Sequence, residues 1–183
     1  MTRQLRRGRS EDLPVLIEVF WRGVHEGAAP RYSDEQRQAW LPVRPEIEAF
    51  AAHLANQIVF AAEEGGIVTG FMTMTPEGYL DLAYVLPEAR GTGTADALLA
   101  MIVNHAVARG LSALTTRASD MARPFFIRHG WQVLAAAPQI RAAVTIPATD
   151  MKLPLVASVS SLRTDPDGAM TRKYGKHTCH RRD

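Results

Sequence analysis

The sequence predicts one α/β domain, and three observations carry that prediction. Helical spacing runs from Leu13 to about His25 and returns over residues 92–109. Between them, residues 58–85 alternate with a period near two and are cut by tight turns, the mark of an antiparallel meander. A chain of 183 residues with 46% apolar and 22% charged residues can bury a core of its own without covalent staples.

Residues 2–7 suit a short first strand rich in arginine. Ser10 reads as a helix N-cap, with Glu11 and Asp12 in the first turn where negative charge is favoured. Leu13, Leu16, Ile17 and Phe20 follow at helical spacing, so this helix runs to about His25, and residues 27–30 break it. Ser33 and Gln36 have the spacing of a capping box and start a shorter helix through Trp40. Pro42 and Pro45 interrupt, Pro45 suiting the first turn of a helix that carries Ile47, Phe50, Ala51 and Leu54. Residues 58–62 and 67–75 form a hairpin, and residues 79–85 a further strand. Over residues 92–109, Ala95, Leu98, Leu99, Ile102, Val103, Ala106 and Val107 share one helical face, and Gly110 is placed as a left-handed C-cap. A strand at 114–117, a short helix at 121–129, a strand at 131–135 and a last strand at 149–153 complete a domain over residues 1–155.

Residues 156–183 are rich in Ser, Thr, Gly and charge. Six Lys and Arg stand there against three Asp, so this segment supplies the whole positive balance of a chain whose net charge is +2. It is expected to be a disordered basic tail. So small a net charge makes nucleic acid an unlikely general partner. The lone Cys179 excludes an intrachain disulfide and suits a reducing compartment. Glu11 and Asp12 interrupt the apolar run a secretory signal would need, and no apolar stretch nears the ~20 residues of a membrane span, so a cytoplasmic protein is expected. His177, Cys179 and His180 are metal-capable types without the ordered second cluster of a zinc site, so no metal is expected.

The chemistry concentrates in residues 79–95, YLDLAYVLPEARGTGTA. A strand leads through Pro87 to a glycine turn and then to the amphipathic helix. Glycines admit close backbone approach, and a helix start offers unpaired N–H groups and partial positive charge, together an anion cradle. A P-loop would need a lysine that Thr94-Ala95 lacks, and a dinucleotide fold would need parallel βαβ units. A glycine turn without a ligand stays open on these residues alone.

Arg90, Gly93 and Ala95, behind Val85 and Pro87, resemble the Arg/Gln-x-x-Gly-x-Gly/Ala motif of the GNAT superfamily of N-acetyltransferases. The block ARPFFIRHGW at 122–131 is similar to that superfamily's Ala-x-x-x-Tyr-x-x-x-Gly-Phe helix. The segment 24–42, with His25, Tyr32, Ser33, Gln36 and Trp40, resembles a subgroup acting on small amines or peptides. The resemblance spans residues 2–155. It implies a mixed, mostly antiparallel sheet of six or seven strands, helices on both faces, splayed between the fourth and fifth strands. Acetyl-CoA would lie in the splay, its pantetheine on the backbone of Ala83 to Val85 and its pyrophosphate on Arg90, Gly91, Thr92, Gly93, Thr94 and Ala95. Ser119, Arg123 and Phe126 would complete the cofactor contacts. The implied reaction is direct acetyl transfer to a primary amine of a small molecule or peptide, and related folds often form homodimers.

An ammonium must lose a proton before it attacks, so a base is required. Asp81 is the first candidate, a mid-strand carboxylate four residues before Val85, expected by alternation on the face of Tyr79 and Ala83. His25, near the end of the first helix, is the second. Tyr32 and Trp40 are candidate walls of the acceptor pocket. The superfamily often protonates the departing thiolate with a tyrosine, and here Phe126 stands at that position. Either the thiolate leaves unassisted, or Tyr84, Ser119 or water substitutes. Phe126 also motivates a rival reading, a catalytically silent acyl-CoA sensor, and the basic tail motivates a third, acetylation of a charged tRNA or nucleic-acid-associated protein.

Overall fold

The computed structural model describes residues 2–155, so the tail expected at 156–183 lies outside them. Strand β1 (Arg3–Arg7) pairs with β2 (Ile58–Glu64), β2 with β3 (Ile67–Met74) and β3 with β4 (Leu80–Val85), every pair antiparallel. This is the meander that the alternation predicts. A second sheet holds β5 (Ala113–Ser119), β9 (Ala148–Pro154) and β6 (Gln132–Ala136), with β9 central.

The two sheets meet at one end only. Tyr79 bridges Thr115 in parallel, the Thr115 N–H donates to Gly78 O at 3.0 Å, and buried Thr116 Oγ1 donates to Leu80 O at 2.8 Å. Beyond Leu80 no ladder joins β4 to β5, and the seven strands splay there as the resemblance implies. A hairpin of β7 (Gln139–Arg141) and β8 (Val144–Ile146) is an addition to the expected strands. Its turn residues, Ala142 and Ala143, have φ of 48° and 63°, the mirror-image geometry usually signalled by Asn-Gly.

Among the described residues five helices cover the sheets: α1 (Leu13–His25), α2 (Asp34–Trp40), α3 (Ile47–Leu54), α4 (Thr94–Ala108) and α5 (Arg123–Arg128). The Ser33 capping box forms, with Gln36 N–H donating to Ser33 Oγ and Ser33 N–H to Gln36 Oε1. Ser10, in contrast, does not cap α1. It opens a single 3₁₀ turn (Ser10–Asp12), and the carboxylate of Asp12 does the local work, accepting the Arg9 N–H at 2.8 Å and binding Arg6 through both oxygens at 2.7 and 2.8 Å. Pro45 lies ahead of α3, whose N-cap is Glu46. Helix α4 starts two residues later than the pattern suggests, because Gly93 has a left-handed φ of 83°.

Both faces of the first sheet are covered. On one, Leu98, Leu99 and Ile102 of α4 pack with Met72, Met74, Leu114, Phe126 and Met151. On the other, Leu16, Ile17 and Val19 of α1 and Phe50 of α3 pack on Phe71 and Leu82. Each such side chain stabilises the fold by about 1.5–3 kcal/mol on burial. None of the described helices is long and apolar enough to cross a membrane.

Candidate active site

The parting of β4 from β5 opens a cleft of about 440 Å³ between the sheets. Its walls include Ala83, Tyr84 and Val85 of β4, the loop before α4, Ser119 at the end of β5, and Phe125, Phe126 and Arg128 of α5. Strand pairing decides which β4 groups face it. Leu86 N–H donates to Thr69 O at 2.8 Å, so alternation turns the peptide groups of Tyr84 toward β3 and those of Ala83 and Val85 toward the cleft.

The glycine loop adds donors. Arg90 N–H is taken by Pro87 O at 3.2 Å, but none of the N–H groups of residues 91–96 donates to another described residue. Gly91 and Gly93, with φ of 74° and 83°, give the loop a shape that L side chains disfavour. Six free donors at a helix N-terminus suit an anion, and an open strand edge suits an amide-bearing chain. These groups fit a CoA-type ligand.

The sequence candidates divide. Ala83, Tyr84, Val85, Arg90, Gly91, Gly93, Thr94, Ala95, Ser119, Phe126 and Trp40 line the cleft. Asp81 lines a smaller annex beside it, with Tyr84, Ser119 and Trp40. Thr92 does not line the cleft; its Oγ1 is bonded to Ala89 O and to Thr94 Oγ1, both at 2.8 Å. The Arg90 guanidinium folds back and donates to Gly27 O at 2.6 Å, and burial there pushes it below its usual range. Arg123 is exposed at the start of α5 and does not line the cleft; Arg128, one and a half turns on, does.

His25 also lies away from the cleft. Its Nε2 is 2.8 Å from Leu41 O and its ring stacks on Trp21, an arrangement that ties helix α1 to the end of α2. Tyr32 is buried, and its hydroxyl donates to Pro147 O and accepts the Asp120 N–H, each at 2.7 Å, so it does not line the cleft. Trp40 stands edge-on to Tyr32 and forms part of the wall itself.

Asp81 is not on the face that simple alternation gives it. Asp81 and Leu82 together oppose the single residue Thr73, whose Oγ1 accepts the Leu82 N–H at 3.1 Å. This bulge lets Asp81 bond His53 and Gln57 behind β4 while Ala83 still faces the cleft. Tyr84 rests against Phe20, with centroids 4.7 Å apart, and over Gly23. Burial first, and then the charge of Asp81, raises its phenol well above the usual tyrosine value, so it stays protonated at neutral pH.

Four contributing residues escaped the sequence reading. Arg3 of β1 holds the glycine loop, donating to Thr92 O at 2.8 Å while its Nε pairs with Glu64. Asp96 and His129, 2.9 Å apart, join α4 to α5 at the cleft. Arg128 lies over the Phe125 ring at 5.7 Å. Helical spacing from Phe125 could have flagged Arg128, whereas no local signal marks Arg3.

The family model for the GNAT acetyltransferase domain matches residues 28–155. An Escherichia coli K12 protein described as the uncharacterized N-acetyltransferase YafP is 32% identical over 131 residues, which is 72% of this chain and 82% of that protein. The structure of a GCN5-related N-acetyltransferase from Rhodopseudomonas palustris superposes with a TM-score of 0.79 at 29% identity, covering 85% of this chain and 97% of that one. The PaiA N-acetyltransferase of Thermoplasma acidophilum, solved with coenzyme A, superposes with a TM-score of 0.71 at 17% identity over 84% and 99%. The family match, the 32% identity and a splayed cleft with a donor-lined loop agree: this chain belongs to the GNAT acetyltransferases and is an acetyl-CoA-dependent acyltransferase.

Proposed function

We propose that the chain carries an acetyl group from acetyl-CoA directly to the primary amine of a small molecule or peptide. The observation that carries this reading is the junction of two unsatisfied backbone surfaces: the free edge of Ala83 and Val85, and the free N–H groups of residues 91–96. The first would hold the pantetheine amides and the second the pyrophosphate, with Phe126 and Ser119 closing the far wall.

Acetyl-CoA supplies the thioester. The chain's residues orient it and manage protons. Asp81, in the annex beside Tyr84 and Trp40, takes the proton from the ammonium. Tyr84, kept protonated by burial, offers a hydrogen bond to the departing sulfur. A thiol with a pKa near ~8.5 is a tolerable leaving group, so Phe126 in place of a tyrosine does not stop the reaction. Trp40 bounds the acceptor side and limits its width.

The test is thiol release from acetyl-CoA in the presence of pooled polyamines, aminoglycosides, amino acids and short peptides, with thermal stabilisation recorded alongside. Acetyl-CoA at ~100 times its Kd should stabilise the fold by ~2.7 kcal/mol. Release above the background without amine supports the proposal, and dividing the pool then identifies the acceptor. Stabilisation with no release from any amine would favour the silent acyl-CoA-binding module that Phe126 motivates.

A further inference from the structure

We infer that Arg3 is a positioning residue for the pyrophosphate of acetyl-CoA: through Thr92 it keeps the glycine loop in the shape that presents its free N–H groups. This rests on the cofactor placement proposed above. The loop has little to hold it from within. Thr92 stands between Gly91 and Gly93, whose φ values are 74° and 83°, and glycine populates both signs of φ about equally. The tie comes from the first strand. Arg3 Nη2 donates to Thr92 O at 2.8 Å and to Thr92 Oγ1 at 3.1 Å. That hydroxyl gives its own proton to Ala89 O at 2.8 Å, so the 2.8 Å bond between the two threonine hydroxyls is donated by Thr94. Arg3 is itself fixed, because its Nε donates at 2.8 Å to Oε1 of Glu64, its register partner in the β1–β2 pair. The guanidinium fork therefore joins the end of the sheet to the loop. Gly93 lies alongside, where a Cβ would stand 3.6 Å from Arg3 Nη1.

The direction of the bond matters as much as its presence. In a trans peptide the C=O of one residue and the N–H of the next point opposite ways. Holding Thr92 O toward Arg3 thus turns the Gly93 N–H away from the guanidinium, and that N–H, in a residue lining the cleft, donates to no described residue. The Thr94 hydroxyl ties the first residue of α4 to the same Thr92, so loop and helix start are set together. Charge is the lesser part of the effect, since Glu64 lies 2.8 Å from the Arg3 cation. The cations that line the cleft do not share this task. Arg90 is committed to Gly27 O, and Arg128 belongs to the α5 wall. Without Arg3, the peptide between Thr92 and Gly93 is ordered only when the cofactor binds. Fixing the backbone of one residue at that moment corresponds to a loss of affinity of about five- to thirtyfold.

The test titrates coenzyme A and dephospho-coenzyme A into full chains of wild type, Arg3→Ala and Arg3→Lys by calorimetry, with kinetics on an amine that wild type acetylates. Lysine keeps the charge but lacks the planar fork that joins Glu64 to Thr92. Both variants are expected to bind both ligands about five- to thirtyfold more weakly, because both ligands carry the pyrophosphate. The KM for acetyl-CoA rises by the same factor and kcat at saturation does not fall, as for binding lost equally from ground and transition states. The thermal midpoint of the unliganded chain stays near wild type, since a solvated ion pair contributes little. With S-acetylpantetheine, a thioester donor that has no pyrophosphate, kcat/KM is unchanged. Wild-type affinity in both variants would overturn the inference, and wild-type affinity in Arg3→Lys alone would overturn it in favour of simple charge attraction. A loss confined to coenzyme A, with dephospho-coenzyme A unaffected, would overturn it by moving the guanidinium to the 3′-phosphate. An equal loss with S-acetylpantetheine and a lowered midpoint would overturn it in favour of a general structural role. Failure of wild type to bind either ligand would overturn the cofactor placement itself.

Discussion

Gly23→Ala sets two effects of opposite sign against each other, and the structure says which wins. In an α-helix the exchange normally stabilises by about 0.5–1 kcal/mol, since glycine has more freedom to lose on folding. Gly23 lies inside α1, but a Cβ there would stand 2.6 Å from Cδ1 of Tyr84 and 3.4 and 3.5 Å from Cγ and Cε1. The ring has no retreat on its own side, because Phe20 packs at 4.7 Å and Phe71 at 6.1 Å. It can yield only toward the cleft. Forcing extra methyl volume into such packing costs about 1–3 kcal/mol, so the net change is a destabilisation of up to about 2 kcal/mol. For a domain of this size that lowers the melting temperature by up to about 8 °C. On the role proposed for Tyr84 the catalytic loss is larger, since a shift near 1 Å in a positioned group can cost about 10²-fold. Thermal melts together with thiol-release kinetics on a competent amine check both figures. A variant with a higher melting temperature and undiminished kcat/KM would refute the claim that Gly23 exists to seat Tyr84.

Two further outcomes concern stability. Asp12 is buried, and Arg6 first, then the Arg9 N–H, hold its carboxyl below the usual carboxylate range. A depressed folded pKa contributes stability that is complete above the unfolded value of ~3.9 and is lost as pH falls through the folded one. Asp12→Asn should therefore cost about 3 kcal/mol at neutral pH, the low end for a broken buried pair because Glu63 still holds Arg6 at 2.9 Å. Denaturant melts across acidic pH should show the gap to wild type closing below about pH 4. At the β7–β8 turn, Ala142→Asn with Ala143→Gly relieves two left-handed alanines that cost about 1–2 kcal/mol each. Part of that gain is returned as unfolded-state entropy, leaving a rise in melting temperature of about 2–4 °C to be read by calorimetry.

Elements defined by period were legible. The four-strand meander and α4 follow from alternation and from the stripe Leu98, Leu99, Ile102 and Ala106, each buried as expected. What escaped depends on chain crossings. The β7–β8 hairpin turns on Ala142-Ala143, which carries no turn chemistry, and only its packing against α2, including Gln36 Nε2 on Thr145 O, selects it. The bulge at Asp81-Leu82 arises because a hydroxyl from the neighbouring strand, Thr73, takes an N–H that a regular ladder would have used. No feature of β4 itself announces that.

The site shows the same division. The donor loop was readable because glycine, helix start and anion binding are local physics, although its first free N–H proved to be that of Gly91 rather than Arg90. Its clamp, Arg3, lies 89 residues away in sequence, and the partner of Asp81, His53, lies 28 away. Phe126 was legible as a missing proton donor, and its surroundings give the substitution a sense. It is 1% exposed and packed on Phe125 and Trp131, with centroids 5.3 and 4.9 Å away. A hydroxyl added there without a partner would cost about 1–3 kcal/mol. The residue serves the core, and the thiolate, at a pKa near ~8.5, can depart without a full proton transfer. A protonated ammonium cannot attack at all. On the proposed reading the demand for catalysis therefore falls on the base side of the cleft, where Asp81, Gln57 and His53 are joined by hydrogen bonds of 2.7 and 2.8 Å, rather than on the α5 side where the tyrosine is absent.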